Sequence, residues 1–246
     1  MAEYCEMSDS YISRELSGLM VEQDLLLKWS EEDLADIISD VGFSCLLCGR
    51  CCTTEFNGHV FLLDSDAERV IAMDPSLLIP APEFELADEA GIFYVSGYAL
   101  RVQKNGSCIF LTDNRCRIYD ERFTICRIYP YMLHREPDRR KKLEFRQISG
   151  LNEHGEYHCP VSEDDALTFA RETIAYEKAW LAQMIGFYTA ALDLFEQKNT
   201  RHIRAVYDRR IQEFRKGAPV DVHVWYQGHF VPVTVRREEY LGFGWP

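Results

Sequence analysis

"FSCLLCGRCC", residues 43–52, places Cys45, Cys48, Cys51 and Cys52 within one short loop. The chain does not need them as staples, because 246 residues with 47% hydrophobic content can bury a sizeable core unaided. C-x2-C-x2-C spacing lets a loop converge three thiolates on one small object. It matches the first three ligands of the bacterial ferredoxin type of loop, in which a Cys-Pro supplies another ligand. Cys159-Pro160 is a remote analogue of that last element. Cys52 is the informative residue, since neighbouring side chains diverge along an extended backbone. Two adjacent cysteines then suit two metals, or a polynuclear cluster with one thiolate outside it, better than one tetrahedral ion. This favours iron–sulfur chemistry over a single structural zinc.

The other cysteines are grouped rather than scattered. Cys108, Cys116 and Cys126 lie within "CIFLTDNRCRIYDERFTIC", each beside a predicted turn or helix end, and Cys159 follows. With the first four they are enough for two four-thiolate sites. Cys5 is left over near the start and reads as a small hydrophobe.

Working outward, residues 8–40 carry a helical pattern, with Leu16, Leu19, Met20, Leu26 and Leu27 among charges. Ser30 with Asp33 reads as an N-cap and Gly42 as a stop. "HVFLLDSDAERVIAM" reads as a short strand and then a helix capped near Asp64 or Asp66, and the Pro-rich "PSLLIPAPEFELADEAG" as a loop. "GIFYVSGYALRVQKNGSCIFLTDNRCRIYD" gives strands with tight turns at "KNGS" and "TDNR", and "YDERFTIC" one or two helical turns. "KLEFRQISGLNEHGEYHCP" is a strand and loop. From Ser162 to about Lys216 apolar residues recur at helical steps: Leu167, Ile174, Leu181, Met184, Ile185, Tyr188, Leu192 and Phe195. "QKNTR" splits that stretch, and "VHVWYQGHFVPVTV" is a terminal hairpin whose Trp225, Tyr226 and Phe230 pack one face.

The expected fold is α+β: a small irregular cysteine-rich metal-binding core with a β-hairpin, flanked by an N-terminal helix and a long C-terminal helical region. The expected division is 1–42, 43–160 and 161–246.

Net charge is −13 and the pI near 5.0. Such a surface repels phosphate backbones, so nucleic acid is excluded as the default partner. The basic run Arg139–Lys142 reads as a solvated turn. The start "MAEYCEMSDS" lacks an apolar run behind a basic head. "LAQMIGFYTAALDLF" is broken by Gln183, Thr189 and Asp193 and is too short to span a bilayer. A cytoplasmic protein without membrane contact is expected, where thiols favour metal or redox chemistry.

The two cysteine blocks together resemble the YkgJ-type CxxCxxCC family, described as iron- or zinc-chelating proteins. The second block carries Cys108 to Leu111, Cys116 to Tyr119, Arg122 and Cys126-Arg127-x-Tyr129-Pro130. Phe123 departs from the pattern, which expects a proline there. The resemblance, over about 43–159, implies a cysteine-bound metal. Flagellin lysine N-methylases carry a related region, which makes a methylase using S-adenosylmethionine an alternative. Against it, the chain shows no Gly-rich strand-to-helix loop for a nucleotide.

The resulting expectation is an iron–sulfur cluster, [4Fe–4S], nucleated by Cys45, Cys48 and Cys51. Cys52, Cys108, Cys116, Cys126 and Cys159 would complete it or build a second centre. Electron transfer to an unidentified protein or redox partner, or metal-dependent maturation of another protein, would follow. A structural zinc module is the alternative. His59 and His158 are further donor candidates, ahead of His134 and His154. Arg50, Arg117 and above all Arg127 are candidates to offset thiolate charge. Tyr119, Tyr129 and Tyr131 read as core walls.

Overall fold

The computed structural model describes residues 6–137, 143–145 and 153–244. Cys5 and the basic run Arg139–Lys142 lie outside them, as does the side chain of His134.

The helical layer is built from α1 (Glu6–Leu26) and α2 (Glu31–Val41), with α6 (Glu163–Gln197) packed across both. Ser30 caps α2, its Oγ accepting from the Asp33 N–H at 3.1 Å, and Gly42 ends it in the left-handed region at φ 52°. Ser162 caps α6 in the same way. Leu19, Leu26, Leu34 and Ile38 meet Ile174, Leu181, Met184 and Phe195 in this layer. Met20 and Leu27, 55% and 62% exposed, fall off the apolar stripe expected of α1. Replacing Ser30 with Ala is expected to cost about 1 kcal/mol, because one orphan N–H loses its acceptor. Urea unfolding of the variant measures it.

Between these helices lie α3 (Thr54–Asn57), β1 (Phe61–Leu62), α4 (Asp64–Met73) and β2 (Leu78–Pro80). Then come β3 (Leu86–Ala87), β4 (Phe93–Val95) and β5 (Tyr98–Leu100). A tight hairpin, β6 (Leu111–Thr112) and β7 (Arg115–Cys116), precedes α5 (Thr124–Ile128). Strands β8 (Leu133–Pro137) and β9 (Leu143–Phe145) pair before α6. The chain continues into α7 (Arg204–Arg215), β10 (Val220–Tyr226) and β11 (His229–Val235). The architecture is α+β.

Two small sheets carry the centre. One has the order β1-β5-β2 and the other β11-β10-β4-β3. The terminal hairpin is therefore part of the central sheet: β10 runs parallel to β4, with Val222 opposite Phe93 and Val224 opposite Val95. The Pro-rich stretch expected to be a loop supplies β2 and β3 instead. Pro80 is tolerated because β2 is an edge strand, where a missing N–H costs no ladder bond. Asp64 and Asp66 do not cap α4, whose N-cap is Leu63. Asp64 accepts from the Gln227 N–H, and Asp66 from the Thr124 N–H that opens α5.

The β4–β5 turn is held from two sides. Gln183 of α6 donates to the Ser96 carbonyl at 3.1 Å, and Glu85 accepts from both the N–H and the hydroxyl of Ser96. Burial pushes the Glu85 carboxyl up from 4.5 to about 8, against the lowering effect of the Ser96 bonds. A carboxyl raised on folding contributes stability that is fully present below its unfolded pKa and lost as pH rises through the folded one. Neighbouring Glu83 adds to the upward push, and the phenols of Tyr11, Tyr188 and Tyr207 stay neutral in that range. The stability of the wild type relative to Glu85→Gln is therefore expected to fall between about pH 5 and about pH 8. Paired urea titrations at the two pH values read this directly.

Candidate metal centre

The cysteine loop begins where α2 is stopped. Its approach is pinned by an antiparallel bridge between Ser44 and Glu156, with bonds of 2.8 and 2.9 Å, and by the Phe43 N–H donating to the Tyr131 hydroxyl. Leu47 and Gly49 take positive φ and turn the chain into a single 3-10 turn, Arg50–Cys52. The side chain of Asn57 donates to the Cys51 carbonyl at 2.6 Å.

The second block folds back on this turn. Cys108 N–H donates to the Cys52 carbonyl at 2.7 Å, and Thr53 bridges Ser107. The "KNGS" turn closes through Gln103, whose side chain also donates to the carbonyls of Cys108 and Leu111. Asp113 and Asn114 both take positive φ in the "TDNR" turn, which sets Cys116 opposite Leu111. Phe123, where the family pattern expects proline, has φ −62°, a value proline would also impose. The departure leaves the turn intact, and the ring packs against Phe110 in the core.

Seven cysteines from three segments line one cavity of about 880 Å3: Cys45, Cys48, Cys51, Cys52, Cys108, Cys116 and Cys126. Cys159 does not line it. Its N–H pairs with the Gly42 carbonyl and its thiol meets Glu156. Cys159, expected as the remote fourth ligand, is thus placed by its backbone beside the start of the loop. His158 lies outside the cavity too, with its ring near the Asp40 carbonyl, whereas His59 and His154 are on the wall. His154, ranked with His134 behind the other two from sequence, is only 6% exposed; its Nε2 meets the Tyr129 hydroxyl at 2.7 Å and its Nδ1 has no partner among the described residues.

The electrostatics follow from crowding thiols in a partly dry space. Burial pushes Cys108 up to about 12 and lifts Cys126 beyond the ordinary thiol range, with the neighbouring thiols adding to both. Cys51 and Cys52 act as a pair, their sulfurs 4.0 Å apart. Cys51 holds its proton because it bonds to Cys52, and Cys52 is lowered to about 7 by that bond, helped by Arg122. Arg122 also acts on Cys116 and Cys126. Its guanidinium is fixed over the Tyr119 ring at 3.9 Å while Nε donates to the Tyr119 carbonyl. The arginines expected in this role are occupied otherwise. Arg127 meets Glu172 and the Arg122 carbonyl, Arg50 the Glu153 carbonyl, and Arg117 the Ile109 carbonyl. Arg122 escapes a search by adjacency because it reaches the thiols across a turn.

Cys51 and Cys52 were expected to diverge along extended backbone, but the 3-10 turn brings their sulfurs together. Their 4.0 Å separation is near the ~3.8 Å edge of a tetrahedron with metal–sulfur bonds of about 2.3 Å. The donor set is soft and thiophilic, which fits zinc or iron. As they stand, no three His, Cys, Asp or Glu side chains among the described residues are grouped tightly enough to hold an ion. The thiols share a cavity.

This arrangement is a cavity lined by soft thiol donors. Residues 44–149 match the sequence model of the CxxCxxCC family, described as a "Putative zinc- or iron-chelating domain". The match contains all seven cavity cysteines and stops short of Cys159. No curated protein and no solved structure matches the chain. No helix among the described residues is long and apolar enough to cross a membrane.

Proposed function

We propose that four of the seven cavity cysteines hold an iron–sulfur cluster, [4Fe–4S], and that the protein passes electrons to a partner protein or serves metal-dependent maturation of one. The observation that carries this reading is the number of thiols on one cavity. Seven exceed the four that a tetrahedral ion takes, and they come from segments laced together by backbone bonds. Cys45, Cys48 and Cys51 would nucleate it, and Cys52, Cys108, Cys116 and Cys126 would supply the fourth ligand or build a second centre. Such a cluster would supply reversible one-electron chemistry. Arg122 offsets the thiolate charge from its fixed place on Tyr119, and Phe110 and Phe123 keep water from the Cys126 side.

A structural zinc site is the second reading, favoured by the Cys51–Cys52 separation. Anaerobic purification with metal and acid-labile sulfide analysis separates the two. Iron and sulfide in comparable amounts, with broad visible absorption, are expected. A colourless protein holding zinc without sulfide would overturn the cluster.

A further inference from the structure

Seven thiols are one short of two four-donor sites. Cys159, expected as the eighth, is off the cavity, and the wall carries an imidazole instead, that of His154. His154 lies beyond the residues that match the family model, so nothing in that likeness assigns it. Its backbone is clamped to the cysteine loop from both sides: Arg50 donates to the Glu153 carbonyl at 2.9 Å, and Glu156 bridges Ser44. Its ring packs against Phe43, Phe56 and Tyr129, at centroid distances of 6.2, 5.4 and 5.6 Å. Phe43 and Phe56 flank the first cysteine loop, and Tyr129 follows the helix that carries Cys126. The ring therefore stands between two of the cysteine segments.

A side chain this deeply buried needs a partner at each polar atom. Nε2 has one in the Tyr129 hydroxyl, and Nδ1 has none among the described residues. A buried nitrogen left alone is costly. Histidines that bind a metal through one nitrogen hold the other in a hydrogen bond, which fixes the tautomer and aims the ring. With Nε2–H donating to the Tyr129 oxygen, Nδ1 presents a lone pair, and a metal bond there satisfies the whole ring. A histidine that only packed would leave that lone pair orphaned.

We propose that His154 Nδ1 is the eighth donor of the cavity and completes a Cys3His zinc site with the three thiols that the cluster leaves over. This rests on the reading that the cluster takes four of the seven. Three thiolates and one imidazole form a closed tetrahedral set of the kind that zinc takes. Tyr129 is then a positioning residue, which holds the ring by its far nitrogen.

X-ray absorption at the zinc edge tests it, on the whole protein purified anaerobically and given one equivalent of zinc chloride. One nitrogen at about 2.0–2.1 Å and three sulfurs at about 2.3 Å are expected. The nitrogen should disappear in His154→Gln and persist in His59→Gln, a change at the other histidine of the wall. Zinc held by sulfur alone, absence of bound zinc, or a nitrogen that persists in His154→Gln would overturn the assignment. If His154→Gln does not fold or takes no zinc, the wild type and His59→Gln decide, because His59 and His154 are the histidines on that wall among the described residues. Acid-labile sulfide in the same samples judges the cluster separately. A zinc–nitrogen site without sulfide keeps His154 as a ligand and overturns the cluster; sulfide with zinc on sulfur alone does the reverse.

Discussion

Serine at Cys126 is expected to lower metal affinity more than about 100-fold, so that the variant purifies without stoichiometric metal. Losing a group that merely supports a ligand costs about 10- to 100-fold, and a ligand should exceed that range. Cys126 is the cysteine on which the fields of Cys108, Cys52 and Cys116 converge, and burial dominates its raised pKa. A serine oxygen is a harder and poorer donor to zinc or iron than a thiolate. Cys159→Ser is the matched control, because Cys159 is off the cavity, and it should retain the wild-type metal content. Elemental analysis of both variants after anaerobic purification provides the measurement. Full metal in Cys126→Ser would remove that residue from the ligand set, and loss in Cys159→Ser would bring it back in.

The second large effect concerns backbone. Alanine at Gly42 is expected to destabilise the protein by about 3 kcal/mol: 1–2 for the left-handed conformation and the rest for overpacking. At φ 52° an added Cβ would sit 2.3 Å from the Cys159 carbonyl oxygen and 2.7 Å from its nitrogen. Neither atom belongs to a flexible side chain, so the 158–159 segment must move off the end of α2. Gly228 offers the comparison: its φ is 80° and nothing lies within 4 Å of an added Cβ. Gly228→Ala should cost only about 1–2 kcal/mol, the conformational part alone. Equal losses in the two unfolding curves would mean that the Gly42–Cys159 contact yields freely.

These residues also mark what the sequence made legible. Cysteine spacing pointed to a metal site, and the turn chemistry of "KNGS" and "TDNR" placed Cys108 and Cys116 near each other, because both signals are local. Gly42 and Ser30 were readable as helix ends for the same reason. The placement of Cys159 off the cavity was not, since Cys-Pro looks the same whether its thiol faces a cavity or its backbone pairs with a loop. The closeness of Cys51 and Cys52 was hidden because it depends on a single 3-10 turn. Strands β2 and β3 were missed because their prolines and acids mimic a loop, and only pairing with distant strands fixes them. Glu85, Ser96 and Tyr11 come together across three separate elements, and no motif announces such a meeting.

The parallel pairing of β10 with β4 sets an order of events during synthesis. Phe93 and Val95 cannot find Val222 and Val224 until the ribosome has released the late part of the chain. Every cavity cysteine has emerged well before then. On the nascent chain, the thiols wait beside a sheet that lacks its central partner, exposed to whatever metals and oxidants the compartment holds. Long-range pairing of this kind is slow to form. If these thiols take a metal, its delivery is thus a problem of timing, set against the moment the last hairpin closes the sheet.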